Sequence, residues 1–156
     1  MKTPFLYSIT LSLLGVFAGG CITVLFIIVP FWHSLSPTEV MDWFAAFGPT
    51  VGATMLPMEI VPLVLSTVCW FRARKEQSQT GAWTIVCISN ALMILSFFVY
   101  FLPVNLSFLN HSISAEDVGP ELERWELIHA ARTILAVLSA AVAIKIMNGL
   151  FSLRTA

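Results

Sequence analysis

Four stretches of about twenty residues, each nearly free of charge, dominate this chain and leave it few ways to fold. They cover about 4–32, 51–71, 82–102 and 127–150 of the 156 residues. Surrounded by hydrocarbon, such a stretch satisfies its own backbone hydrogen bonds only as a helix. Composition agrees, with 58% of residues hydrophobic and 11% charged, where a soluble domain carries roughly 25% charge. The expected fold is all-α: an integral membrane four-helix bundle, one transmembrane domain over 1–156, with the lipid bilayer as its first partner. A net charge of −1 excludes nucleic acid as a partner, because no basic surface exists to neutralise phosphates. Cys21, Cys69 and Cys87 form no CxxC pair; they read as small apolar fillers, which argues against thiol–disulfide exchange.

At the N-terminus, Lys2, an apolar run and Ala18-Gly19-Gly20-Cys21 loosely resemble a secretion signal ending in a lipid-attachment cysteine. The apolar run continues ten residues past Cys21, so a retained first span is expected. Basic residues set the orientation. Arg72, Arg74 and Lys75 lie between spans two and three, on the side that also receives Lys2 and Arg154, while Glu39, Asp42, Glu116, Asp117, Glu121 and Glu123 lie opposite. Both termini are expected in the cytoplasm, in a multi-pass protein of the plasma (inner) membrane.

Ser36-Pro37-Thr38-Glu39 combines an N-cap serine, a proline at the first helical position and a glutamate three residues after the cap. Val40, Trp43, Phe44 and Phe47 follow at helical spacing, which predicts a short amphipathic helix in the outer interface between spans one and two. The segment from Pro103 to Arg124 reads as an acidic loop without a core of its own. Asn105-Leu106-Ser107 and Asn110-His111-Ser112 match the glycosylation triplet, Asn105 lying too near the membrane to be a good acceptor.

Helices in lipid meet through small residues and internal polar contacts. On that basis the first span presents Ser8, Ser12, Gly15, Gly19 and Thr23 inward, continuing through Phe26, Pro30 and His33. The same small residues allow a homo-oligomer. The second span turns Gly52, Met55, Glu59, Pro62, Ser66 and Cys69 inward; the fourth turns in Trp125, His129, Arg132, Ala136 and Ser139. The third offers Asn90 and Tyr100, with Ser89 and Ser96 competing to define its inner side. At about 1.5 Å per residue, Glu59 lies roughly 12 Å, Arg132 roughly 9 Å and His129 roughly 4–5 Å below the outer surface. An isolated charge at such depth costs about 2.5–3.5 kcal/mol, so Glu59 and Arg132 are expected to pair.

Two readings of these groups compete. In one, Glu59–Arg132 is a polar clamp that fixes helix register, in a non-catalytic membrane protein that binds a lipid or quinone or assists a partner protein. In the other, Glu59, His129 and Arg132 line an outward-opening pocket for a small apolar or aromatic molecule, with His33, Asn90, Tyr100 and Trp125 as further contacts. Pro57 and Pro62 flank Glu59 and fit either a cavity or a kink. A metal set of His33, Glu59 and His129 was conceivable, but no local ligand spacing supports it, and neither a metal nor another cofactor is expected.

Leu102-Pro103-Val104-Asn105 followed by W-E-L-I-H-A-A-R (Trp125, His129, Arg132) resembles the P-x-N … W-x-x-x-[HN]-x-x-R pattern of the anthrone oxygenase-like family of small four-helix membrane proteins. Gly19-Gly20, Val29-Pro30-Phe31-Trp32, Leu35-Ser36-Pro37-Thr38-Glu39 and Trp43-Phe44 are similar as well, so the resemblance covers roughly residues 10–145. It implies oxidation of anthrones to anthraquinones, an oxidoreductase activity linked to some fungal members, and gives Trp125, His129, Arg132 and Asn105 as the matching positions. Cofactor-free chemistry would then use His129 as general base on the acidified methylene and Arg132 to stabilise the enolate oxygen. The aromatic-rich outer half (Trp32, Trp43, Phe44, Tyr100, Trp125) suits a flat ring system.

Overall fold

The computed structural model describes residues 3–155, with side chains described over 5–149; Lys2 and the side chain of Arg154, used above for orientation, lie outside that range. Helix α1 runs over Thr3–Thr23, widens into a π turn at Val24–Ile28 and resumes over Val29–His33. Helix α2 is unbroken from Pro37 to Lys75. Helix α3 runs over Thr80–Ser96, widens in the same way at Phe97–Phe101 and resumes over Leu102–Leu109, and α4 spans Ala115–Thr155. All four are long and apolar enough to cross a membrane. Each packs on its sequence neighbours and α4 closes the ring on α1, giving an up-and-down bundle.

Three apolar layers fill the bundle. Leu6, Tyr7, Ala73, Trp83, Ile146 and Met147 meet at the end holding the termini. Phe17, Ala18, Cys21, Met93 and Ala136 form the middle. At the far end Trp32, Val40, Phe44, Phe101, Phe108, Val118, Leu122 and Trp125 form an aromatic-rich cap.

The two wide turns have a common local cause. Each is followed by one residue and then a proline, Pro30 in α1 and Pro103 in α3. A proline inside a helix has no N–H to donate and its ring crowds the carbonyl four residues back, here that of Phe26 or Val99. Opening the preceding turn to the i→i+5 pattern relieves that crowding: Val29 N–H bonds the Val24 carbonyl, and Leu102 N–H that of Phe97.

The capping box at Ser36 forms as its sequence predicts. Glu39 Oε2 accepts from the Ser36 N–H at 2.8 Å, and Ser36 Oγ accepts from the Glu39 N–H at 3.5 Å. The turns that follow do not make a separate interfacial helix, however. They are the start of α2, with Val40, Met41 and Phe44 buried in the aromatic cap and Phe47 exposed. Apolar burial outweighs a flat position on the membrane surface. Ser36→Ala should cost about 1 kcal/mol, read as faster amide hydrogen exchange confined to the first turn of α2.

The segment expected to be a loop over Pro103–Arg124 is mostly helical. Only residues 110–114 connect α3 to α4, and Phe108, Val118 and Leu122 join the aromatic cap. Acidic residues there mislead because they occupy the exposed sides of helices whose apolar positions are buried.

The small-residue stripe of α1 also faces the other way. Ser8, Ser12, Gly15, Gly19, Thr23, Phe26, Pro30 and His33 are all exposed, while Leu6, Tyr7, Thr10, Leu14, Phe17 and Cys21 point inward. Polar residues tolerate that face because their own helix satisfies them: Ser12 Oγ donates to the Ser8 carbonyl at 3.0 Å and Thr23 Oγ1 to the Gly19 carbonyl at 2.9 Å. Filling the centre of the bundle requires the bulk of Leu14 and Phe17. The inner faces expected for α2 and α4 are the observed ones, with Glu59, Pro62, Ser66 and Cys69 buried on α2 and Trp125, His129, Arg132, Ala136 and Ser139 buried on α4. In α3 the inner face carries Trp83, Val86, Asn90 and Met93, with Ser89 buried beside them.

Candidate functional site

Spacing on α4 places Trp125, His129 and Arg132 on one side of that helix at successive turns, and each finds a partner on another helix. Arg132 Nη2 donates to Glu59 Oε2 at 2.5 Å, joining α4 to α2 across the bundle. The residues are 9% and 1% exposed, so the pair is shielded from water. The guanidinium also lies 5.6 Å from the centre of the Phe17 ring and 5.0 Å from that of Phe101, and aromatic faces partly replace its lost hydration.

His129 is held from two sides. Its ring stacks on Trp125 at 4.8 Å and 24°, and its Nε2 lies 3.0 Å from the Cys21 carbonyl oxygen. A carbonyl only accepts, so Nε2 carries the proton and donates it. The lone pair of the neutral ring is then on Nδ1, which is buried and has no partner. Trp125 Nε1 donates to Asn105 Oδ1 at 3.0 Å, fixing the indole on which the imidazole rests. This bond, with the half-buried position of Asn105, also removes that asparagine as a glycosylation acceptor.

These groups form one wall of a cavity of about 530 Å³. The remaining walls are apolar, drawn from both wide turns (Val24, Ile28, Phe97, Phe98, Phe101) and from Gly48–Leu56 of α2. Among the described residues, six buried side-chain polar atoms lack a hydrogen-bond partner. Four of them belong to residues lining this cavity: Trp32 Nε1, Arg132 Nε, Glu59 Oε1 and His129 Nδ1. Two are donors and two are acceptors. Leaving a buried polar atom unpaired costs about 1–3 kcal/mol; each of the four is itself covered by protein, so a ligand in the cavity would reach it once the side chain that carries it turns toward the cavity.

Glu59, Asn105, Trp125, His129 and Arg132 are thus brought together as expected from the sequence. Three other expected contacts are not. His33 is exposed, its Nε2 2.8 Å from Glu126 Oε2. Tyr100 donates to Glu121 at 2.8 Å, away from the cavity. Asn90 lies deeper in the bundle, donating to the Val86 carbonyl at 2.8 Å and to Ser139 at 3.4 Å. With His33 at the surface, the metal set of His33, Glu59 and His129 does not assemble; among the described residues no group of three His, Cys, Asp or Glu side chains is close enough to hold a metal ion.

Sequence reasoning named Trp32 as an aromatic wall and missed two contributors, Phe17 and the Cys21 carbonyl. Both have a signal in the spacing of Tyr7, Thr10, Leu14, Phe17 and Cys21, alternately three and four residues apart, which marks a buried helix face. Comparison with protein-family models, with curated proteins and with solved structures finds no match.

Proposed function

We propose that the cavity binds a flat, lipophilic phenolic ketone of the anthrone class and that the protein catalyses its cofactor-free oxygenation to the quinone. One observation carries this reading: Trp32, Glu59, His129 and Arg132, each with a buried polar atom that lacks a partner, line a single, otherwise apolar cavity of about 530 Å³, a size suited to a small organic ligand. The clamp reading predicts a buried pair with no sizeable cavity beside it; the pair is buried, and a cavity of about 530 Å³ lies against both residues.

In the proposed chemistry, His129 Nδ1 removes a proton from the ring methylene, whose acidity the adjacent ketone and aryl rings raise. The negative charge moves to the ketone oxygen, where Arg132 Nε–H and Trp32 Nε1–H are the available donors. Glu59 Oε1 accepts from a phenolic hydroxyl. The electron-rich carbanion reduces dissolved O₂ by one electron, and the resulting radicals combine to form a C–O bond. The hydroperoxide anion takes a proton back from His129. Removal of the second methylene proton then breaks the O–O bond, giving a carbonyl and hydroxide, which leaves as water. The net change is anthrone plus O₂ to anthraquinone plus water. In this reading the orientation set by the basic residues places the cavity in the outer half of the plasma (inner) membrane.

Purified protein supplied with a simple anthrone should form quinone faster than a protein-free control, consuming one O₂ per product. With isotopically labelled dioxygen, one labelled oxygen should appear in the quinone. Quinone formation no faster than the control would end the assignment.

A further inference from the structure

The cavity is well covered at the far end of the bundle and poorly covered on one side. Above it, Trp32 packs against Trp43, Phe44 and Trp125 with ring centres 4.8–5.1 Å apart, and Phe44 packs against Phe108 at 4.9 Å. Over these rings, His33 reaches Glu126 at 2.8 Å and His111 reaches Asp42 at 3.4 Å, tying the two loops at this end to the helices beside them. Below the cavity, Arg132 and Glu59 close on each other above the packed Phe17–Met93 layer.

Between α2 and α3 the closure is missing. Helix α2 packs on Thr80–Ser96 below and on Leu102–Leu109 above, and much less on the wide turn between them. That turn spreads its five residues over a wider ring than an α-helix makes. Several residues lining the cavity at this level are also exposed on the flank of the bundle: Val51 (39%), Phe98 (52%) and Leu106 (44%), with Ala53 beside them. All four are apolar. This flank belongs to two of the helices long enough to cross a membrane, and its exposed apolar side chains suit hydrocarbon rather than water. From Ser96 to Leu102 the thinly covered stretch is roughly 8–9 Å long along the helix axis, against about 3.5 Å for the thickness of an aromatic ring.

We infer that ligand reaches this cavity sideways, from the bilayer, through the window between α2 and α3 framed by Val51, Ala53, Phe98 and Leu106. The substrate class is accordingly an uncharged, membrane-dissolved lipophile with a hydrogen-bond acceptor and donor on one edge. An anionic or glycosylated relative confined to water is excluded by its route rather than by the fit of its ring. This inference rests on the binding role proposed for the cavity and is independent of the oxygenation step.

The test uses the full chain in phosphatidylcholine vesicles and follows the fluorescence of its own tryptophans, three of which (Trp32, Trp43 and Trp125) line the cavity. Two quinone probes are compared: neutral 1,4-naphthoquinone, which partitions into the bilayer, and its 2-sulfonate, which stays in water. The neutral probe should quench to saturation and the sulfonate should not compete with it. Ala53→Phe, which adds bulk in the window without touching Glu59, His129 or Arg132, should slow association of the neutral probe about tenfold; Phe98→Ala should speed it. Opposite shifts in one rate cannot come from general loss of structure. Equal quenching by both probes, or rates unmoved by both substitutions, overturns the lateral route while leaving a binding cavity. Absence of saturable quenching by either probe removes the binding role itself, and the route with it.

Discussion

Glu59→Leu is expected to destabilise the protein by about 3–5 kcal/mol, the cost of stranding one member of a buried ion pair. Arg132→Leu should cost less. A carboxylate left alone can take up a proton, whereas a guanidinium cannot give one up, and the bundle around Arg132 offers only the Phe17 and Phe101 rings in place of Glu59. The double variant Glu59→Leu/Arg132→Leu should recover most of the loss, because no charge then remains in the interior and the new side chains resemble those around them. Reversible unfolding in mixed micelles measures all three, and the double-mutant cycle isolates the coupling. Additive single effects would mean that the contact contributes nothing beyond two separate burials. The same comparison separates fold from function, since the rescued double variant should hold its helices together yet lack the two charged residues that line the cavity.

The second large effect concerns His129. His129→Ala is expected to lower kcat/KM for anthrone oxidation by about 10²–10⁴-fold, the range contributed by a positioned general base. Alanine also removes the ring that stacks on Trp125, so a second variant is needed to separate chemistry from packing. His129→Gln retains an N–H for the Cys21 carbonyl but offers no basic lone pair. If His129 acts as a base, both variants lose turnover while the glutamine variant still binds the neutral quinone with saturable quenching. If the imidazole only supports the wall of the cavity, His129→Gln keeps most of the activity, and the base must be sought elsewhere.

Much of this architecture was legible in the sequence where a single physical rule decided the matter. The cost of unsatisfied backbone in lipid indicated four helices, though α2 and α4 begin about a dozen residues before the spans it marked. The cost of isolated charge paired Glu59 with Arg132, and the spacing on α4 put Trp125, His129 and Arg132 on one face. Legibility failed where two rules competed. Small residues favour close helix contact, which suggested that Gly15 and Gly19 faced inward; the need to fill the centre with Leu14 and Phe17 prevailed. His33 and Tyr100, expected as cavity contacts, are turned elsewhere: both side chains find carboxylates on α4, Glu126 and Glu121, away from the cavity. Neither partner choice follows from helical spacing within one span, because each depends on how two helices turn toward each other.

The π turns at Val24–Ile28 and Phe97–Phe101 each amount to one residue more than an α-helix would use over the same length. Loss of a single codon within either turn would rewind it as plain α-helix, and because five residues of a π turn cover nearly the same rotation as four of an α-helix, Trp32 and Asn105 would keep their faces. What would go is the extra width that Val24, Ile28, Phe97 and Phe98 give the cavity wall. A one-residue deletion in either turn is therefore expected to leave the bundle standing and the cavity smaller, whereas the same deletion in the regular part of a span would rotate one half of the helix against the other by about 100°.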